Sequence, residues 1–168
     1  MDETTEKVLV IYYSSSGNTK KLAQMVANGV KEEKDVQCIL KATPEVTKDD
    51  FLTCAAIIAG SPVYFGTMAA ELKDVFDRFV GIRNKMGDKI GAAFATAGDE
   101  SGGKETTIIS IIQSFLIYGM IIVGDPLDAT GHYGVACTGV PDKETEKNAM
   151  KLGRRVAKLV KKIKNWYY

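Results

Sequence analysis

The chain has 168 residues, which at about 100–200 residues per domain makes one domain, 1–168, long enough to bury a core without disulfides or metal. With 45% apolar and 26% charged residues it is ordinary globular material, so disordered, collagen-like and coiled-coil readings fail. Lys and Arg number 22 against 21 Asp and Glu, and a net charge of +1 supplies no field to gather nucleic acid or an acidic membrane surface.

Cys38, Cys54 and Cys137 form no C-x-x-C pair and no zinc pattern with the single histidine, His132, so no metal ligands are expected. Isolated thiols suit a reducing compartment. The opening residues 1–7 are too polar for a secretory signal, and no apolar run approaches the roughly 18 residues of a membrane span. These features predict a cytoplasmic chain with no membrane span and no nucleic-acid partner.

In chain order, residues 7–13 (KVLVIYY) are a continuous β-branched run, as in a strand buried on both faces. Leu22, Met25, Val26, Gly29 and Val30 then recur at helical spacing. Residues 36–40 make a second strand, a helical turn follows at 47–52, and 55–60 (AAIIAG) make a third strand. Met68, Leu72, Val75, Phe76 and Phe79 share a helical face, 89–95 form strand four, and 104–118 a further helix. Strand five is 120–123, followed by a Gly-rich loop through Gly134 and a last helix opening near Pro141 and Asp142, with Leu152, Val156, Leu159 and Ile163 inward. Strands alternating with helices imply right-handed crossovers and an α/β, doubly wound, five-stranded parallel sheet of order 2-1-3-4-5 with helices on both faces. Ligands then belong beyond the carboxyl ends of strands one, three and four.

The loop after strand one reads Ser14, Ser15, Ser16, Gly17, Asn18, Thr19, directly before a helix. Free N–H groups and the helix dipole attract an anion there, and the hydroxyls add neutral donors, which suits one phosphate. Neither G-x-x-x-x-G-K-[ST] nor G-x-G-x-x-G is present, which disfavours ATP or NAD on this loop. After strand three come Ser61, Pro62, Val63, Tyr64, Phe65 and Gly66, whose aromatics could flank a flat ring; the bland alternative folds them onto the core. After strand four come Thr96, Ala97, Gly98, Asp99, Glu100, Ser101, Gly102 and Gly103, glycine-rich enough for backbone to approach a ligand closely. One phosphate loop and two ring loops describe a mononucleotide with a large heteroaromatic head.

The phosphate loop is similar to the flavodoxin pattern T/S-x-T/S-G-x-T, and SPVYFG, ATAGDESGGKETT, YGMIIVG and HYGV resemble, in order, segments of the WrbA-type NAD(P)H:quinone oxidoreductases and their short flavodoxin-family relatives. The resemblance covers nearly the whole chain and implies a flavodoxin-like domain binding FMN. By position, Ser14 to Thr19 would hold the phosphate, Pro62 to Gly66 run along the flavin, and Thr96, Ala97, Gly98, Asp99, Gly102 and Gly103 hold its polar edge. Tyr118 stands where the WrbA-type pattern has a flavin-contacting histidine. The pattern departs at Tyr64, which replaces an arginine, and in residues 81–87, which lack a tryptophan. No catalytic residue is singled out, because the flavin carries the electrons.

The implied function is an FMN-dependent oxidoreductase passing electrons from NAD(P)H to a quinone or similar acceptor. The alternative is a flavodoxin-type carrier with a protein redox partner, and since such carriers are typically strongly acidic, the +1 charge favours the enzyme. His132 could assist proton transfer or simply be solvated. Lys158, Lys161, Lys162 and Lys164 read as solvated cations complementing a helix C-terminus. In the helix at 104–118, Ile108, Ile111, Ile112 and Phe115 make one stripe while Ile109, Leu116 and Ile117 lie outside it, which predicts a homodimer or homotetramer.

Overall fold

The computed structural model describes residues 5–164. Residues 1–4 and 165–168, counted in the predicted domain, lie outside them, as does the side chain of Lys164.

The elements are β1 (Glu6–Tyr12), α1 (Asn18–Lys31), β2 (Val36–Ala42), α2 (Lys48–Thr53), β3 (Ala56–Tyr64), β4 (Thr67–Met68), α3 (Ala70–Arg78), β5 (Ile90–Ala97), α4 (Lys104–Ile117), β6 (Ile121–Ile122), β7 (Val135–Thr138) and α5 (Lys143–Lys164). The strands lie in the order β2-β1-β3-β5-β6, all paired in parallel, and β7 runs parallel to β5. This is the expected 2-1-3-4-5 winding with its fifth strand in two pieces. Ile90 and Gly91 pair with Ile121 and Ile122, and Phe94 to Ala97 pair with Val135 to Thr138 further along the same strand. The chain leaves the ladder at Gly124 and Asp125, just before Pro126, which has no N–H to donate. The predicted Gly-rich loop is therefore an excursion from one edge strand, which resumes as β7.

The sequence reading also missed a hairpin. β4 folds back antiparallel on β3, pairing Val63 with Met68 and Tyr64 with Thr67 around Phe65 and Gly66. Both turn residues have positive φ, 50° and 77°, as a two-residue type I′ turn requires. Such turns favour Asn-Gly, so Tyr-Phe-Gly-Thr carries no hairpin signal.

Each sheet face has its own apolar layer. On one, Val8, Val10 and Ile58 pack with Leu22 and Val26 of α1 and Leu152 and Val156 of α5. There α1 and α5 touch backbone to backbone, since a Cβ on Gly29 or Gly153 would sit 2.1 Å from a carbonyl oxygen of the other helix. On the opposite face Leu9, Ile11 and Ile57 meet Phe51, Leu72, Phe76, Ile111 and Phe115. Of the inward residues expected on α5, Leu152 and Val156 are fully buried and Leu159 and Ile163 partly so.

Two of the lysines expected to be solvated cations instead face carboxylates. Lys158 and Lys161 reach Glu33 and Asp35, in the acidic turn beyond α1, at 3.7 and 3.9 Å. On α4 the core stripe is Ile108, Ile111 and Phe115, with Ile109 half-buried and Leu116 and Ile117 exposed at 58% and 65%. No helix among the described residues is long and apolar enough to cross a membrane.

Candidate functional site

The winding reverses between β1 and β3, so α1 leaves the sheet on one face and α3 on the other. In doubly wound sheets such a reversal is where a ligand crevice forms, at the carboxyl ends of the strands. The loops after β1, β3 and β5 surround it.

The first loop leaves the start of α1 without a side-chain cap. Gly17 is the residue before α1, in the left-handed region at φ 95°. Its N–H donates to Ser14 Oγ at 3.1 Å, which curls the loop. A Cβ on Gly17 would meet nothing within 4 Å, so open space lies against the uncapped end. Ser15 and Ser16 are exposed and Asn18 is half-buried. Thr19 differs: it is buried, and its hydroxyl shares a 2.7 Å hydrogen bond with Thr96 Oγ1 at the end of β5. These two threonines join the first loop to the third.

The second loop is the β3–β4 hairpin. Ser61, absent from the predicted site, is buried and closes the hairpin, with Oγ accepting from Ala69 N at 2.8 Å and donating to the Pro62 carbonyl at 2.7 Å. Ser110 Oγ accepts from Met68 N at 3.1 Å and ties the hairpin to α4. Pro62 pairs with Thr96, Val63 is half-buried, and Tyr64 meets Tyr13 edge to face at 6.3 Å. Phe65 stands fully exposed at the tip.

In the third loop Ala97 is buried, Gly98 and Asp99 are exposed, and Gly102 N donates to the Asp99 carbonyl at 3.1 Å. A Cβ on Gly103 would lie 3.0 Å from Gly66 Cα, so the second and third loops abut through two glycines. A clamp that the sequence reading missed holds the third loop. Glu100 accepts from Lys104 at 2.6 Å and from Thr138 at 2.7 Å, and Lys104 also donates to Thr138 at 3.0 Å. The Lys104 hydrogen bond, then that of Thr138, holds the Glu100 carboxyl below the usual carboxylate range. The Glu100–Lys104 spacing, i and i+4, was the only legible trace of this clamp.

Tyr118 is a correction. It follows α4, whose 14 residues run about 21 Å back from Gly103 toward the amino ends of the strands. Its ring packs on Phe51 and Phe76, its hydroxyl donates to the Phe76 carbonyl at 2.6 Å, and burial pushes its pKa up to about 12. Within one chain it is a core residue, distant from the three loops. His132 lies exposed in the excursion between β6 and β7, at φ 67°. Burial pushes Cys38, Cys54 and Cys137 up to about 11, so none offers a thiolate near neutral pH.

The comparisons with known proteins decide the family. The model of the NADPH-dependent FMN reductases matches residues 31–133. A flavodoxin of Aquifex aeolicus is 37% identical, covering 92% of this chain and 86% of its own. An NAD(P)H dehydrogenase (quinone) of Archaeoglobus fulgidus is 32% identical over 94% of this chain and 98% of its own. The chain belongs to the NADPH-dependent FMN reductase family. FMN is its cofactor. A flavodoxin, WrbA-like protein from Agrobacterium tumefaciens has the same fold, with a TM-score of 0.81 at 22% identity over 94% of this chain and 98% of that one.

The residues present fit FMN at its phosphate: an uncapped helix start with open space against Gly17 and neutral hydroxyl donors beside it suits that group. Gly17 tests the phosphate placement. A valine there must take a left-handed conformation costing about 1–2 kcal/mol and would fill the open space against the helix start. We expect Gly17→Val to weaken FMN binding by at least about tenfold, measured by fluorescence titration of apoprotein, with the apoprotein still folded. FMN bound as tightly as by the unaltered chain would place the phosphate elsewhere.

Proposed function

We propose that the chain is an FMN-dependent oxidoreductase that takes electrons from NAD(P)H and passes them to a quinone or similar acceptor. Bound FMN supplies the hydride and electron chemistry. The chain's own residues bind and orient it: Ser14, Ser15, Ser16, Gly17 and Asn18 at the phosphate, with Thr19 and Thr96 holding the loops in register. Pro62, Val63, Tyr64, Phe65 and Gly66 line one side of the ring, and Ala97, Gly98, Asp99, Gly102 and Gly103 its polar edge.

The observation that carries this reading is the chain's even charge. A carrier of single electrons gains its partners through complementary charge, and a net charge of +1 gives little of it. The bare aromatic tip at Phe65 suits a flat substrate that stacks on the ring and leaves. Two relatives named NAD(P)H dehydrogenase (quinone) each match 94% of this chain. The carrier reading keeps one support of its own, the 37% identity to a protein named flavodoxin.

Anaerobic mixing separates the two. The enzyme reading expects NADH or NADPH alone to bleach the flavin band and a soluble quinone to restore it. If neither nicotinamide bleaches a flavin that dithionite reduces readily, the chain is a carrier.

The exposed Leu116, Ile117 and Ile121 are assigned to a contact between copies, as a homodimer or homotetramer. Light scattering should give a multiple of 18.3 kDa that falls to one chain in Ile117→Glu. A single-chain mass for the unaltered protein removes this assignment.

A further inference from the structure

The excursion between β6 and β7 folds against the start of α5 and encloses a cavity of about 150 Å³. Asp125, Thr130, Asp142, Glu144 and Asn148 line it. Asp125 and Asn148 are only 5% and 6% exposed, and the Oδ1 of each has no hydrogen-bond partner among the described residues. Buried polar oxygens are nearly always paired, so two orphans on one small cavity call for an occupant. Both orphans are acceptors, which limits the occupant to something positive or proton-bearing.

Charge narrows the choice. The Asp125 carboxylate has one backbone donor, Gly131 N to Oδ2 at 2.8 Å. Arg155, the nearby cation, instead donates to the Gly124 and Asp125 carbonyls, at 3.0 and 2.5 Å. Neither Lys nor Arg lines the cavity, while Asp142 and Glu144 add two exposed carboxylates. A water could pair the oxygens, but only a cation would also offset the carboxylate's charge directly, since Arg155 meets Asp125 through its backbone carbonyl and not its carboxylate. No three His, Cys, Asp or Glu side chains among the described residues converge to hold a metal, so Asp142 and Glu144 stay outside the ligand set. The donors are instead one buried carboxylate, an amide oxygen and a hydroxyl, the all-oxygen chemistry of hard cations. The Thr130 hydroxyl already accepts from Asn148 Nδ2 at 3.2 Å, which turns the amide oxygen the other way. The volume exceeds what one water needs, so an ion could keep part of its hydration shell.

We propose that this cavity is a site for a hard divalent cation, magnesium or calcium, held by Asp125, Asn148 and Thr130. The ion would pin the β6–β7 excursion onto α5. The site is separate from the flavin loops and does not depend on the proposed reaction.

The test uses the full-length, FMN-loaded protein after chelator treatment. Titration calorimetry with magnesium and, separately, calcium should give one binding event for at least one of them. The same ion at millimolar concentration should raise the melting temperature by several degrees. Asp125→Asn should abolish both effects. Asn148→Asp, which puts a second carboxylate in the cavity, should lower the metal-free melting temperature and enlarge the rise on adding metal. This second variant decides the matter if Asp125→Asn does not fold. The proposal is overturned if neither ion binds the unaltered protein, which would mean that water or a turned Asn148 amide meets the orphan oxygens. Binding that persists undiminished in Asp125→Asn would overturn it equally.

Discussion

The site depends on one constraint, the reversal of winding between β1 and β3, which leaves the carboxyl ends of neighbouring strands without a helix packed over them. A crevice at that point is an unavoidable product of the topology. Its two sides would be free to drift if nothing crossed it. The hydroxyl pair Thr19–Thr96 does cross it, buried at 2.7 Å, linking the first turn of α1 to the end of β5. Thr96 is also the register partner of Pro62, so all three loops are fixed from one short stretch of strand. A low-dielectric surround strengthens such a bond and makes the loss of either partner expensive.

Around this anchor the loops are held by different means. The phosphate loop curls on Ser14, the hairpin is closed by Ser61 and moored by Ser110, and the third loop is clamped to β7 by Glu100, Lys104 and Thr138. In the proposed reading these groups position the loops while leaving the backbone N–H groups at the helix start to the phosphate. The cost of a bulky residue in the left-handed region is accepted at Phe65, at the tip of the hairpin, where a ring-stacking substrate would arrive.

Much of the fold was legible because doubly wound proteins write their elements plainly. KVLVIYY, AAIIAG and KIGAAFA are strands buried on both faces, and five such strands alternating with helices have 2-1-3-4-5 as their common doubly wound order. The S-S-S-G-N-T loop was legible as the start of α1, since hydroxyls and a glycine before an amphipathic helix serve either to cap it or to receive an anion. What could not be read was held by contacts distant in sequence. Thr19 looked like one more phosphate donor, and only the fold brings Thr96, 77 residues away, to its hydroxyl. Phe65–Gly66 hid a hairpin because its first residue contradicts the usual turn chemistry, and β7 hid because four residues carry little periodicity. Tyr118 matches the WrbA-type pattern only by its place in the sequence, which does not tell which end of α4 lies near the three loops.

The central claim is that FMN sits on the carboxyl-end loops of this chain and nowhere else. Amide chemical-shift mapping by NMR, with FMN titrated into apoprotein, tests it most directly. The account predicts the largest shifts in residues 14–19, 62–66 and 96–103, with the amides around Tyr118 and His132 little changed. Large shifts confined to the β6–β7 excursion or to the exposed face of α4, with the three loops still, would contradict it.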